Sequence, residues 1–267
     1  MDEGDRGAIV NAALNVEEEA VPEHVGELGT LTWLGHATVL LTTQTGTRIV
    51  FDPWLEGNPK CPEGLTDLGP LDAIAVTHGH FDHMGSVIPL AIASGATVVC
   101  VPEMAAYFAS VGLTNLVEMN KGGTIRVADV SLTMVSADHS CGVALGENVP
   151  NAYGGNPVGF IIGLANGLGG PIYISGDTNV FGDMALIRDL YAPEIGLMPI
   201  DGHYNMGPRE AAHAVKLLGL SRVVPIHYGT FPILTGTPEE LRFFLSNAGS
   251  NATMVPLEPG DSVGLTL

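Results

Sequence analysis

Cysteine is scarce in this chain of 267 residues, which contains three cysteines. Cys61, Cys100 and Cys141 lie far apart, and no two of them stand at the spacing of a zinc ribbon. Such a set excludes a disulfide framework and is typical of proteins that fold in a reducing compartment. The sequence therefore predicts a cytoplasmic location.

Basic residues are also few, with ten Lys and Arg against 29 Asp and Glu, which gives a formal net charge of -19. The ten cationic residues are scattered singly, so the sequence contains no basic groove. A surface this acidic repels phosphate backbones, and nucleic acid is therefore not expected as a partner. We expect the partner to be a small-molecule substrate.

Long hydrophobic runs are absent as well, since no stretch approaches the roughly 20 apolar residues of a membrane span. The first residues are acidic, unlike the cationic start of a secretory signal. We therefore expect no membrane partner. Residues 1–28 are predicted to form an acidic arm, with a short helix from Ile9 to Ala20. This arm would lie at the surface or take part in contacts within a homo-oligomer.

The rest of the sequence is rich in apolar residues, which make up 46% of the whole chain, and in glycine and proline. We expect residues 29–267 to form a single domain with an ample core and many turns. Strands open this region and then alternate with helices in two comparable halves, Leu31 to about Val135 and Ser136 to Leu267. We interpret this order as an α/β fold, an αββα sandwich of two mixed sheets with outer helices.

Potential metal-binding side chains are most concentrated in the stretch His78-Gly79-His80-Phe81-Asp82-His83, which holds three imidazoles and one carboxylate. It follows an apolar run and precedes a predicted helix, so it lies in a loop between a strand and a helix, a frequent place for active sites. Side chains two apart in an extended loop point the same way. His78 and His80 can therefore bind one metal ion, while Asp82 and His83 face a neighbouring position.

Further polar residues stand where later apolar strands end, namely His139, Asp177, His203 and His227. Strand ends gathered at one edge of a sandwich bring such side chains together, and with the histidine loop they would hold two metal ions. Asp52 also ends an early strand. A carboxylate there can hydrogen-bond a ligand imidazole, or it can cap the turn before Pro53.

This pattern resembles the metallo-β-lactamase superfamily, in which a histidine-rich loop, a lone histidine, a bridging aspartate and a last histidine occur in the same order. The resemblance covers nearly everything after Leu28, and it implies that Asp52 supports the metal loop. Seven ligands follow from it: His78, His80 and His139 for a first metal, Asp82, His83 and His227 for a second, and Asp177 as the bridge between them.

Four stretches resemble one branch of that superfamily, the small bacterial and archaeal metal-dependent hydrolases related to ascorbate-6-phosphate lactonase. They are Trp33 to Ala37, Ser175 to Thr178, Met206 to Pro208 and His227 to Pro232. The phospholipase D that cleaves N-acylphosphatidylethanolamine is a more distant relative with a similar Gly-His-Ala start. The resemblance transfers the fold and the metal chemistry better than it transfers the substrate.

The resemblance implies a dinuclear metal-dependent hydrolase. Two cations about 3.5–4 Å apart can share a hydroxide and keep it deprotonated near neutral pH. This hydroxide would attack the carbonyl or phosphorus centre of a small ester, lactone or phosphodiester. The ligand set contains imidazole and carboxylate without thiolate, so Zn²⁺ is the expected metal, with Mn²⁺, Fe²⁺, Ni²⁺ and Co²⁺ as open alternatives.

Two residues are candidates for catalysis beyond metal binding. Asp82 can orient the nucleophile or shuttle its proton, and His203 can contact the substrate or act as a general acid. The alternative for His203 is a hydrogen-bonded loop histidine. His36 belongs either to the pocket floor or to a structural turn. Tyr228 is a weaker acid or oxyanion candidate, and we expect it to serve packing.

Two other classes of function stay open. The same fold hosts mononuclear iron sulfur dioxygenases, whose histidine loop can look identical to this one. Its diiron oxygen reductases usually carry a glutamate where this chain has His80. The third class is a binding protein with a vestigial metal site, but the full ligand set argues against it.

Overall fold

A computed structural model describes residues 27–146, 149–164 and 169–266. The predicted helix from Ile9 to Ala20 and most of the predicted acidic arm lie outside these residues. The first strand already begins at Glu27, within the stretch predicted as arm. None of the helices in the described ranges has the length and hydrophobicity that crossing a membrane requires.

The elements alternate along the chain as the sequence predicts. The strands are β1 Glu27–Trp33, β2 Val39–Thr43, β3 Arg48–Phe51, β4 Ala73–Ala75, β5 Thr97–Cys100, β6 Leu116–Glu118, β7 Thr124–Val127, β8 Val130–Ser136, β9 Gly142–Val143, β10 Ala152–Tyr153, β11 Val158–Leu164, β12 Ile172–Ile174, β13 Ile195–Pro199, β14 Arg222–Ile226, β15 Thr253–Met254 and β16 Ser262–Thr266. The helices are α1 Phe81–Met84, α2 Val87–Ser94, α3 Pro102–Ser110, α4 Met184–Tyr191, α5 Pro208–Leu218 and α6 Pro238–Asn247.

Two seven-stranded sheets form the body of the molecule, in the orders β16-β1-β2-β3-β4-β5-β6 and β15-β14-β13-β12-β11-β8-β7. Each sheet combines antiparallel and parallel pairs, for example β1 with β2 and β3 with β4 in the first. The predicted αββα sandwich of two mixed sheets is therefore confirmed. The sheets do not coincide with the two halves of the sequence, because β7 and β8 join the second sheet and β16 returns to pair with β1.

The main hydrophobic core lies between the sheets. Phe51 on β3 and Phe160 on β11 are both fully buried, and their rings meet edge to face with centroids 5.9 Å apart. A second core lies between the second sheet and helices α4, α5 and α6, around Tyr173 and Met198. Strand β13 is buried along its whole length, as expected for a strand covered on both faces.

One edge of the sandwich collects the ends of several strands. Strands β12, β13 and β14 are parallel neighbours, so their carboxyl ends lie side by side. Asp177 follows β12, Asp201 follows β13 and His227 follows β14. The histidine loop follows β4 of the other sheet, and His139 follows β8. The polar side chains converge because these strand ends meet at one edge. In α/β folds, ligands bind at such carboxyl ends.

Candidate metal centre

Six of the seven predicted ligands meet at this edge in two groups, one of which also contains His36, and the seventh, Asp177, lies between the groups. We define the imidazole cluster as His78, His80 and His139, and the mixed cluster as His36, Asp82, His83 and His227. Within each cluster, every residue offers one nitrogen or oxygen atom that lies within 4.8 Å of the atoms offered by the others. Both clusters have the density of donor atoms that a metal ion requires.

Asp177 lies between the two clusters and touches both. Its Oδ1 is 3.2 Å from His83 Nε2, and its Oδ2 is 3.3 Å from His227 Nε2. The same Oδ2 lies 3.5 Å from His139 Nε2 and 3.9 Å from His78 Nε2. The carboxylate is 3% exposed, so solvent does not compensate its charge. A carboxylate in this position can offer an oxygen atom to each cluster.

Hydrogen bonds fix the protonation of His78 in the imidazole cluster. The Thr77 hydroxyl donates to Asp52 Oδ2 at 2.6 Å, so its oxygen accepts from His78 Nδ1 at 3.0 Å. His78 Nε2 is then left without a proton, and it lies 3.0 Å from Nδ1 of His80. Two ring nitrogens facing each other at this distance form a natural pair of metal ligands.

The mixed cluster and the adjoining Asp177 contain buried polar atoms without hydrogen-bond partners. They include His83 Nε2, His227 Nε2 and Asp177 Oδ1. An unsatisfied buried polar atom costs about 1–3 kcal/mol, so three of them in one place call for a missing partner. The donor set is imidazole nitrogen and carboxylate oxygen, and the residues present therefore fit a divalent cation.

Buried carboxylates support the two histidines of the mixed cluster from behind. Asp52 Oδ2 lies 2.9 Å from His83 Nδ1, and Asp201 Oδ2 lies 3.1 Å from His227 Nδ1. Both carboxylates are essentially buried, with exposures of 1% and 0%. A carboxylate behind an imidazole fixes the ring orientation and points the other nitrogen, here Nε2, at the metal.

His36 supports the carboxylate of the mixed cluster. Its Nε2 lies 2.9 Å from Asp82 Oδ2, and its Nδ1 lies 2.9 Å from the Thr230 hydroxyl. Burial, with the neighbouring His227, lowers the pKa of His36 to about 4, so the ring is neutral. A carboxylate accepts only, so Nε2 carries the hydrogen and Nδ1 accepts from Thr230.

Three residues at the site have left-handed backbone conformations although none is glycine. His36, Asp52 and His227 have φ angles of 53°, 47° and 60°. Such conformations cost about 1–3 kcal/mol each and persist where the surrounding structure holds them. A hydrogen bond from His227 N to His36 O, 2.9 Å long, ties two of them together across the two sheets.

The charges of the two clusters differ. Burial alone would lower the pKa of His83, but Asp177 and Asp52 raise it to about 10. Burial would raise the pKa of Asp201, yet its contact with His227 brings it down to about 2. In the imidazole cluster burial dominates and lowers the pKa values of all three histidines. Without metal, neighbouring carboxylates thus raise the pKa of His83 in the mixed cluster, whereas burial lowers the pKa values of the imidazole cluster.

A cavity of about 570 Å³ opens onto both clusters. Ligand pockets of this size are typical for small molecules. The lining residues are His36, His80, Phe81, Asp82, His139, Ser140, Gly142, Ala144, Asn151, Asp177, Tyr204, His227, Phe231 and Ile233.

Two predicted residues lie away from this cavity. His203 is exposed and does not line it, and its backbone nitrogen donates to Asp201 Oδ1 at 2.8 Å. The prediction that His203 takes part in catalysis thus stays without geometric support. Tyr228 stacks on Trp33 with ring centroids 5.4 Å apart, as expected for a packing residue. Burial, with nearby Glu258 and Glu239, raises its pKa to about 12.

Asp201 is the residue that the sequence reasoning missed. It lies two positions after Pro199, where strand β13 ends, and two positions before His203. The sequence shows a carboxylate and a histidine in the same loop, and histidine is the more familiar catalyst. The position of Asp201 could have identified it, because Asp52 and Asp177 also lie within a few residues of a strand end.

Comparisons with known proteins agree with this geometry. A sequence model described as "Beta-lactamase superfamily domain" matches residues 47–228. A UPF0173 metal-dependent hydrolase of Rubrobacter xylanophilus is 47% identical over 234 residues, which are 88% of this chain and 96% of the relative. Another, of Koribacter versatilis, is 46% identical over 215 residues, 80% of this chain and 91% of the relative.

A solved structure extends the similarity to three dimensions. Igni18, described as a novel metallo hydrolase from the archaeon Ignicoccus hospitalis, is 31% identical with a TM-score of 0.77. The match covers 89% of this chain and 98% of that one. Fold and site together define a metal-dependent hydrolase with the metallo-β-lactamase fold. The chain belongs to the β-lactamase superfamily, among its UPF0173 metal-dependent hydrolases. The predicted link to ascorbate-6-phosphate lactonase stays a prediction.

Proposed function

We propose that the enzyme is a dinuclear hydrolase that cleaves a small ester, lactone or phosphodiester. The position of Asp177 carries this proposal, because one buried carboxylate lies within 3.9 Å of ring nitrogens from both clusters. A single metal would leave one of the two clusters without a partner.

His78, His80 and His139 would hold one metal, Asp82, His83 and His227 would hold the other, and Asp177 would contact both. Zn²⁺ is the expected metal, and Mn²⁺, Fe²⁺, Ni²⁺ and Co²⁺ suit the same donors. Two bound cations supply a water-derived nucleophile at neutral pH and a positive charge for the oxyanion of the transition state.

The chain's own residues orient and shield this chemistry. Asp52 and Asp201 keep the rings of His83 and His227 aimed into the mixed cluster. His36 holds Asp82 in the same way through its Nε2–H. Asp52, Asp201 and His36 are buried behind these ligands, and the cavity opens onto the other side.

Asp82 is the residue proposed to orient the attacking water. It lines the cavity, and its side chain is 15% exposed. Burial alone would raise its pKa, but contacts with His227 and His36 hold the pKa well below the usual range, so the group is ionised. An ionised carboxylate at the cavity wall can accept a hydrogen bond from the attacking water and orient it.

Metal analysis combined with a substrate panel tests this proposal. The protein, reconstituted with each candidate metal, is assayed with lactones, thioesters and bis-p-nitrophenyl phosphate. We expect two metals per chain and turnover of at least one ester class. His213, an exposed histidine outside both clusters, offers a matched control, since His213→Ala should keep the metal content and the activity.

The same measurements separate the proposal from its alternatives. A single iron per chain with oxygen uptake would instead support the sulfur dioxygenase class. Absence of bound metal after gentle purification and reconstitution would support a binding protein with a vestigial site. Either result would contradict a dinuclear hydrolase.

A further inference from the structure

Part of the mouth of the cavity is apolar, although the exposed residues Ser140 and Asn151 also line the cavity. Phe81, Tyr204 and Ile233 line it, and they are 58%, 59% and 45% exposed. Phe81 also packs on Trp54, with ring centroids 5.5 Å apart, so its ring is held in place. Large apolar side chains that stay exposed around a concave site mark a surface that a ligand covers. We name these three residues the apolar rim.

Cationic side chains are missing from the same cavity. Among the described residues that line it, none is Lys or Arg. Sites that bind phosphate or carboxylate groups usually supply such side chains, with arginine favoured for its paired donors. The cavity wall therefore offers an anionic substrate no charged partner of its own.

Carboxylates surround the metal ligands and offset the charge of the metals. Asp82 and Asp177 belong to the ligand set, and Asp52 and Asp201 lie directly behind two of the ligand histidines. Four carboxylates balance the charge of two divalent cations. The loaded centre would then present no excess positive charge to attract an anion into the cavity.

We propose that the substrate is an uncharged carboxylic ester whose aliphatic or aromatic group packs on the apolar rim. This inference rests on the proposed hydrolytic function and narrows it, because phosphomonoesters and phosphodiesters become poor substrates. Water adds across the acyl C–O bond: its oxygen bonds to the acyl carbon, the alkoxide oxygen leaves with one proton, and the other proton is released as the product becomes a carboxylate. That anionic product faces the same carboxylates, which favours its departure.

A chain-length series tests the apolar rim. With the metal-loaded enzyme, kcat/KM is measured for p-nitrophenyl esters whose acyl chains grow by one methylene at a time. Burial of each methylene is expected to raise kcat/KM about fourfold until the cavity is filled. A flat or falling series would overturn the proposal.

A charge placed on the rim tests the preference for uncharged substrates. Two values of kcat/KM are compared, one for the anionic bis-p-nitrophenyl phosphate and one for the uncharged p-nitrophenyl butyrate. Ile233→Lys should raise the ratio of the first value to the second by about tenfold at low salt. The gain should shrink as ionic strength rises. Ile92→Lys is the matched control, because Ile92 is 71% exposed on α2 and does not line the cavity. Its ratio should stay within about twofold of the parent enzyme. Equal ratios for both variants would contradict the inference.

Binding separates failure of this inference from failure of the hydrolytic function. If the metal-loaded protein turned over no substrate, the hydrolytic proposal would fail. The rim would then be judged by calorimetry with uncharged N-alkyl amides, which resist hydrolysis. Affinity that rises about fourfold per methylene supports an apolar ligand at the rim. Affinity that does not depend on chain length overturns it.

Discussion

The imidazole cluster and the mixed cluster share one carboxylate but differ in support. In the imidazole cluster, His80 and His139 are partly exposed to the cavity, and His78 is the buried member. In the mixed cluster, His36, His83 and His227 are each at most 1% exposed. Its ligands have polar groups behind them, namely Asp52 behind His83, Asp201 behind His227 and His36 behind Asp82.

This difference predicts different metal chemistry for the two clusters. A cluster whose ligands are already oriented loses little freedom when a metal binds, so the mixed cluster should bind metal more tightly. Its carboxylate oxygen also suits harder cations, whereas three imidazoles suit Zn²⁺ and similar ions. The imidazole cluster faces the cavity and should exchange its metal faster.

Removing the shared carboxylate should have the largest effect. Asp177→Asn keeps the shape but removes the charge that both clusters use, so metal affinity should fall in both. We expect kcat/KM to drop more than about 100-fold, beyond the range for loss of a supporting partner. Metal content by mass spectrometry and steady-state kinetics measure this. Asp189→Asn, at an exposed aspartate, is the control and should behave like the parent. Full metal content in Asp177→Asn would contradict the assignment.

Removing one or the other of the supporting carboxylates should affect the metal affinities of the two clusters differently. Among the candidate metal ligands Asp201 contacts His227, so Asp201→Asn should weaken the mixed cluster alone, by about 10–100-fold in metal affinity. Asp52 reaches His83 directly and His78 through Thr77, so Asp52→Asn should weaken both clusters. Calorimetric titration of the metal-free variants distinguishes one weakened site from two. Circular dichroism checks that each variant folds, and equal behaviour of the two variants would refute this account.

A smaller effect is expected from His36. In His36→Gln the hydrogen bond to Asp82 is lost or lengthened, so the mixed cluster should lose about tenfold in metal affinity, at the low end for such partners. Because His36 acts through Asp82, kcat should fall more than KM changes. Thr230→Ser keeps the hydroxyl that donates to His36 Nδ1 and serves as the matched control. An unchanged metal affinity in His36→Gln would show that the residue serves packing alone.

The smallest effect is expected at Asp129, a carboxylate that lies outside both clusters and accepts hydrogen bonds from hydroxyl groups of the chain. Asp129 accepts hydrogen bonds from the hydroxyls of Thr43, Thr45 and Thr47, which link the β7–β8 turn to the β2–β3 turn of the other sheet. Burial would raise its pKa, but these hydrogen bonds lower it. Asp129→Asn should reduce the free energy of unfolding by about 1 kcal/mol, equally with and without metal.

The pH dependence of that loss has a definite sign. Because the folded pKa of Asp129 lies below the unfolded one, its stabilisation is complete above the unfolded pKa and disappears as the pH falls through the folded pKa. Denaturant unfolding at several pH values should show the parent and Asp129→Asn converging in acid. A difference between them that depended on metal would mean that the two ends of the sandwich are coupled.

The convergence of the candidate ligands could be predicted because each of them lies within a few residues of the end of an apolar strand or in one short loop. Asp201 and the role of His36 could not be predicted, since both depend on which side chains lie behind a ligand in three dimensions. The sheet boundaries were missed for a similar reason. Nothing local to residues 262–266 indicates that they pair with residues 27–32, and the pairing of β7 with the second sheet also depends on distant contacts.

The return of β16 to the side of β1 has a consequence for synthesis on the ribosome. The first sheet stays open at this edge until residues 262–266 emerge, although the histidine loop is made much earlier. Pairings between distant segments form late and slowly. Residues 262–266 follow every candidate metal ligand in the chain, the last of which is His227. Closure of the first sheet at this edge is thus expected to come after all the candidate ligands have been synthesised.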